Sequence, residues 1–219
     1  MKYSHLTFDC YGTLIDWKKG IELNLGGLLK AKGHLPSTAV FPVYLKFEAE
    51  EEEEYKSYRD VLQDTALKVA KHLGVRISED DASQFAASVP TWPPFSDTLG
   101  SMKELGRRGY KRVILSNVDR DILKQTILQS GLIVDGYITA EDVDSYKPSE
   151  GHWKKFFAEY GVSRENTLHV AQSINHDIIP SSRLRIANAW INRYTESKPT
   201  GVDPSYVFKD LKGLLTILS

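Results

Sequence analysis

A chain of 219 residues accommodates one α/β domain, or a core domain carrying one sizeable insertion. Its 28 basic and 29 acidic residues leave a formal charge of -1, which gives no whole-chain attraction for nucleic acid or an anionic membrane. Cys10 is the single cysteine, so an intrachain disulfide and a thiolate metal cluster are excluded. A reducing, cytoplasmic home is the expectation. The N-terminal stretch Met1–His5 lacks the apolar region of a signal peptide, and no apolar run is long enough to span a bilayer.

Leu6-Thr7-Phe8 reads as a short buried strand, ended by a tight turn at Gly12. The stretch from Asp16 to Pro94 contains no convincing strand and is largely helical in pattern. Tyr55, Tyr58, Val61, Leu62, Leu67, Ala70 and Leu73 share one helical face that stops at Gly74. The acidic run Glu48 to Glu54, broken only by Ala49, wraps right around a helix, so its carboxylates cannot converge on one ion. It is expected to be a solvated surface without chemistry. Pro90-Thr91-Trp92-Pro93-Pro94 then ends helix formation.

From there strands and helices alternate. Helix Ser101–Arg108 precedes strand Val113–Leu115, and helix Arg120–Ser130 follows it. Strand Gly136–Thr139, helix Gly151–Tyr160, strand Leu168–Ala171, helix Asp177–Ile186 and strand Ala189–Ile191 come next, with Tyr206–Phe208 a weaker sixth strand. Such alternation predicts an α/β fold, a parallel sheet with helices on both faces. Residues 1–15 and 95–219 would form the core, and residues 16–94 a helical cap inserted after the first strand.

Ligands of an open parallel sheet collect at the carboxyl ends of its strands. Those ends place Asp9, Ser116-Asn117, the loop to Lys147, and Gln172 through Asp177 around one crevice. Two carboxylates, an amine and several neutral hydrogen-bonders thus project from separate strands toward it. Each also has a plain alternative as a turn-former or helix cap.

Taken together, four segments resemble the motifs of the haloacid dehalogenase superfamily: Phe8-Asp9-Cys10-Tyr11-Gly12-Thr13, Leu115-Ser116-Asn117-Val118-Asp119, Ser145-Tyr146-Lys147-Pro148, and His169 through Asp177. The resemblance implies a Rossmann-like core with a helical cap. Its phosphatases carry a second Asp two places after the nucleophile, where this chain has Tyr11. The L-2-haloacid dehalogenase branch also has Tyr there, and a departing halide needs no acid.

By resemblance Asp9 attacks the halogen-bearing carbon and the resulting ester is hydrolysed. Lys147 keeps Asp9 ionised, Thr13 orients it, and Asp177 positions Lys147 or the hydrolytic water. Ser116 is placed with the catalytic group and, with Asn117 and N–H groups of the Tyr11–Thr13 loop, binds the substrate carboxylate. Tyr11, Cys10 and Gln172 complete the substrate-binding set. His176 is expected to point elsewhere. No cofactor, nucleic acid or membrane is implied; the partner is a small-molecule substrate, and the family allows for a homodimer.

Departures from the family are visible. Val43-Tyr44-Leu45-Lys46-Phe47 holds no arginine where the family receives its halide, leaving Lys46 or Arg59 as stand-ins. Trp153 replaces a tyrosine six places after the motif lysine, and Gln172 and Ile174 replace a serine and an asparagine. Two other readings therefore stand: a Mg²⁺-dependent phosphatase with Asp9, the Tyr11 carbonyl and Asp177 as ligands, and a catalytically silent binding protein.

Overall fold

The structure is a computed structural model that describes residues 2–33 and 40–218. Strands β1 (His5–Phe8), β2 (Lys111–Ser116), β3 (Gly136–Thr139), β4 (Thr167–Ala171), β5 (Ala187–Ile191) and β6 (Tyr206–Phe208) form one sheet in the order β3-β2-β1-β4-β5-β6. Every neighbouring pair is parallel. The chain starts in the middle and winds out to both edges, so the switch point lies between β1 and β4, with Asp9 directly after β1.

Side-chain alternation along each strand splits the core into two layers. Leu6, Phe8, Ile114, Leu168 and Val170 pack with Met102, Leu105, Ile122, Leu123 and Leu214. Those partners come from helices α6 (Thr98–Arg107), α7 (Arg120–Ser130) and α10 (Leu211–Leu214). Val113, Leu115 and Ile138 face the other way, onto Trp153 and Phe156 of helix α8 (Gly151–Tyr160). Gly131 and Gly161 close α7 and α8 in the left-handed conformation, which is where the sequence ends both helices.

Between β1 and β2 lies the helical insertion. Helix α1 (Trp17–Ile21) passes through a π-helical stretch, Glu22–Gly26, into α2 (Gly27–Ala31). Helices α3 (Val40–Glu51), α4 (Tyr58–His72) and α5 (Glu79–Ser88) follow. Leu25, Leu29, Tyr44, Val61, Leu62 and Phe85 are its buried apolar centre. Helix α4 starts later than the apolar spacing suggests, because Ser57 caps it, and Tyr55 stays outside, 5.3 Å from the Tyr146 ring. Among the described residues no helix is long and apolar enough to cross a membrane.

The expected helix Asp177–Ile186 is corrected. The chain forms a π-helical turn, Ile174–Ile178, and then the short helix α9 (Ile179–Arg183). Ser173 caps that turn through the His176 N–H, so Asp177 lies inside it. Single π turns of this kind re-aim side chains at functional sites.

Asp119 joins core to insertion. It occupies the N-cap position of α7, yet its carboxylate accepts the N–H groups of Tyr58 (2.8 Å) and Arg59 (2.9 Å) at the start of α4. With Ser57 taking the Asp60 N–H, the first three donors of α4 are all satisfied. The Tyr146 hydroxyl adds a 2.6 Å bond to the Lys56 carbonyl. Asp119→Ala is expected to destabilise the protein by about 1–2 kcal/mol, read as a lower urea midpoint. An unchanged midpoint would show that this junction contributes nothing.

Candidate active site

Asp9 leaves β1 with its N–H still bonded to the Val170 carbonyl (3.0 Å), which fixes the carboxylate at the sheet's end. The Cys10 carbonyl then accepts the N–H groups of Thr13, Leu14 and Ile15, folding the chain back, with Gly12 at φ 94 where a side chain would be strained. The turn returns Thr13, whose hydroxyl donates to Asp9 Oδ2 (2.7 Å) and accepts the Gln172 N–H (2.9 Å).

Lys147 Nζ spends its three hydrogens on Asp9 Oδ1 (2.9 Å), Asp177 Oδ1 (2.7 Å) and the Leu115 carbonyl (2.9 Å). The side chain is 1% exposed. Burial opposes its charge, but Asp177 and Asp9 more than compensate and hold its pKa above the usual lysine range. Asp177 shows the reverse balance: burial disfavours ionisation, and Lys147 with His169 drives its carboxyl well below the usual range. Asp9 stays above its ordinary value, because burial outweighs the pull of Lys147 and the Asp177 charge adds to it. Asp177 Oδ2 has no hydrogen-bond partner among the described residues.

These groups lie at one side of a cavity of about 460 Å³, which is also lined by Ser116, Asn117, Gln172 and, from the insertion, Glu48, Glu52 and Tyr58. Of the residues picked from sequence, Asp9, Thr13, Lys147 and Asp177 form one hydrogen-bonded unit. Ser116 is buried beside it, and its carbonyl accepts from His152 Nε2 (3.0 Å).

Other expectations need correction. Cys10 is fully buried and is not part of the cavity wall, since its side chain packs into the core. Tyr11 offers the cavity its ring, while its hydroxyl is bound to Thr126 (2.6 Å) and burial pushes its pKa well up. Asn117 does line the cavity, and its side chain also accepts the Lys147 N–H (2.7 Å) and donates to the Lys147 carbonyl (3.1 Å), which holds the lysine loop. The Gly12 and Thr13 N–H groups are consumed within the turn and are not offered to a ligand. Gln172 reaches the cavity with its amide on Glu196 (2.8 Å). Neither stand-in cation arrives: Lys46 is exposed against the Phe47 ring, and Arg59 pairs with Asp121 (2.6 Å).

The acidic run is corrected as well. Glu50, Glu53 and Glu54 are exposed, and Glu51 pairs with Lys56 and Lys68. Glu48 and Glu52, four residues apart and hence on one helix face, turn into the cavity. His176 lines it too, 3.6 Å from Glu52.

Two positioning residues escaped the sequence reading. His169 is fully buried and bridges Thr7 (2.9 Å) to Asp177 Oδ1 (3.0 Å). Arg193 grips the Thr13 carbonyl from behind the turn (3.0 and 2.6 Å) and pairs with Asp97 (2.9 Å). A histidine at an inward position of a buried strand was the available signal for the first. Arg193, just past β5, had none.

Lys147→Met leaves two buried carboxylates without a counter-charge. It is expected to cost roughly 3–5 kcal/mol at neutral pH. The stranded acids would have raised pKa values, so the loss should shrink as pH falls and they protonate in the folded state. Denaturant unfolding at pH 5 and pH 8 checks this; an equal loss at both would refute the counter-charge role.

Residues 3–180 match the family model for haloacid dehalogenase-like hydrolases. An (S)-2-haloacid dehalogenase of Pseudomonas sp. (strain YL) is 26% identical over 142 residues, which is 64% of this chain and 60% of that protein. Haloacetate dehalogenase H-2 of Moraxella sp. (strain B) is 22% identical over 209 residues, 88% of this chain and 87% of that one. The solved L-2-haloacid dehalogenase of Xanthobacter autotrophicus with covalently bound chloropropionic acid superposes with a TM-score of 0.85 at 18% identity, covering 98% of both chains. The sheet order, the motif residues at the strand ends and the family match over most of the chain agree: this is a hydrolase belonging to the haloacid dehalogenase-like family.

Proposed function

We propose that the chain cleaves the carbon–halogen bond of a short 2-halo-substituted compound by covalent catalysis at Asp9. The observation that carries this is the Asp9 carboxylate, fixed by Lys147 and Thr13 at a cavity wall whose position 11 supplies no acid. An Asp9 oxygen forms a bond to the halogen-bearing carbon from the side opposite the halogen, and the halide leaves with the electron pair of the broken bond. Water then adds to the Asp9 carbonyl carbon, the product oxygen leaves and takes a proton, and Asp9 keeps the oxygen of that water. Lys147 stabilises the carboxylate before attack and after release, and Asp177, steadied by His169, holds Lys147 in place. The names of the relatives make a short 2-haloacid the first compound to try.

We propose no metal in this reaction. A phosphatase of this family type would enlist Asp9, the Tyr11 carbonyl and Asp177 around Mg²⁺, a cation that demands near-octahedral oxygen coordination. Here the Lys147 ammonium already joins the two carboxylates, and Thr13 takes the other Asp9 oxygen. Among the described residues no group of three or more His, Cys, Asp or Glu side chains is arranged for a metal ion. The donor set therefore fits the ion poorly, and the buried Tyr11 phenol fits a leaving alcohol no better.

Single turnover of 2-chloropropionate in ¹⁸O-water is expected to release chloride and leave label in the peptide containing Asp9. Chloride release with unlabelled Asp9 would mean direct attack by water. Asp9→Asn is expected to lower turnover by about 10³-fold or more, and EDTA to leave it unchanged. Release of phosphate from a generic ester only with added Mg²⁺ would replace this reading with the phosphatase one.

A further inference from the structure

The cavity has a second charged wall that the covalent chemistry does not use. Glu48 is 5% exposed, and its Oε1 accepts both the Tyr58 hydroxyl (2.6 Å) and the Tyr44 hydroxyl (3.2 Å). The Glu52 side chain, 10% exposed, lies near the His176 imidazole and the Asn117 amide. Among the described lining residues, Asp9, Glu48, Glu52, Asp177 and Glu196 bear carboxyls, against the Lys147 ammonium and the His176 imidazole. Lys147 is already shared by two carboxylates. An incoming carboxylate thus meets a wall that takes its own sign once Glu48 and Glu52 are ionised, with no guanidinium to receive it.

We propose that Glu48 and Glu52 set the charge preference for the substrate's head group, and that they accept an ammonium, or another nitrogen donating hydrogen bonds, in preference to a carboxylate. Three observations converge on a cationic donor. The wall is rich in acceptors, and Asp177, 1% exposed and part of the same cavity, leaves Oδ2 without a donor. The rings of Trp17, Phe41, Tyr58 and Tyr194 complete the lining, and aromatic faces attract ammonium ions. Phe41 and Tyr194 already do so on the outside, with Lys18 Nζ 5.6 and 5.7 Å from their ring centres.

Protonation of the pair adds a signature. Burial pushes Glu48 up to about 7, against the pull of the Tyr58 and Tyr44 hydroxyls. Burial and then the Glu48 charge push Glu52 up to about 8, while His176, Asn117 and Lys147 draw it back. The Tyr146 phenol, from the lysine loop, senses Glu52 as well. An ammonium entering this site displaces protons from the pair, so its affinity rises as pH climbs through that range; the affinity of an anion falls.

The inference rests on Asp9 being the reacting group, and its test avoids turnover altogether. Propylammonium, propionamide and propionate are titrated into the wild-type protein by calorimetry at pH 6 and pH 9. Propylammonium is expected to bind about tenfold more tightly than propionate, the ratio of one favourable charge contact, and to gain affinity at the higher pH. Glu52→Gln and Glu48→Gln should each bring the ratio towards one. Tighter binding of propionate, no detectable binding of propylammonium, or a ratio untouched by both substitutions would overturn the proposal. The ¹⁸O label is read separately: an unlabelled Asp9 removes the covalent reading on which the head-group assignment rests, whereas a labelled Asp9 with tighter propionate binding removes the head-group assignment alone.

Discussion

One buried ammonium holds the active site together. Lys147 Nζ is bound by two carboxylates and a strand-end carbonyl, and these partners come from β1, the loop after β4, and β2. Two acids and a base removed from water this completely each carry a desolvation cost of several kcal/mol, offset only by close geometry and full hydrogen bonding. Its three donors are all used, and its backbone is clamped at both polar atoms by Asn117. The sheet brings the three segments to one edge, and the lysine makes that convergence electrostatically tolerable.

Much of this was legible in the sequence, for physical reasons that differ by element. Strands such as Gly136–Thr139 and Tyr206–Phe208 and helices such as Arg120–Ser130 and Gly151–Tyr160 coincide with their predicted bounds, because glycines and short β-prone runs punctuate them. Asp9, Lys147 and Asp177 stood out because a parallel sheet collects its strand-end residues in one crevice. The misreadings occur where tertiary packing decides. Glu48 and Glu52 look like any other members of an acidic run until α3 is laid over the cavity. Asn117 reaches the cavity as its place at a strand end implies, but its hold on the backbone of the lysine loop is not legible in the sequence. The π turn that tucks Asp177 inwards leaves no mark in apolar spacing, and Arg193 acts across 180 residues on the Thr13 carbonyl.

The departures from the family motifs have a common explanation in this geometry. Gln172 stands where a serine is usual, and its main-chain N–H still holds Thr13 while its amide reaches out to Glu196. Trp153 replaces a tyrosine and packs edge-on against His169, with ring centres 5.2 Å apart, steadying the imidazole that reaches Asp177. Both side chains leave the support of the Asp9 carboxylate intact. Gln172 lines the cavity, whereas Trp153 is fully buried outside its wall.

The origin of the cavity's two halves has an evolutionary corollary. One half is built from strand ends tied by the sheet, whereas Glu48, Glu52 and Tyr58 arrive on the helical insertion, docked through Asp119. Exchanges on the inner face of α3 can therefore alter the lining of the cavity without disturbing the Asp9–Lys147–Asp177 unit. The converse also follows: the strand-end unit can stay fixed while the face opposite it changes through α3, the turn at Glu52 and the start of α4.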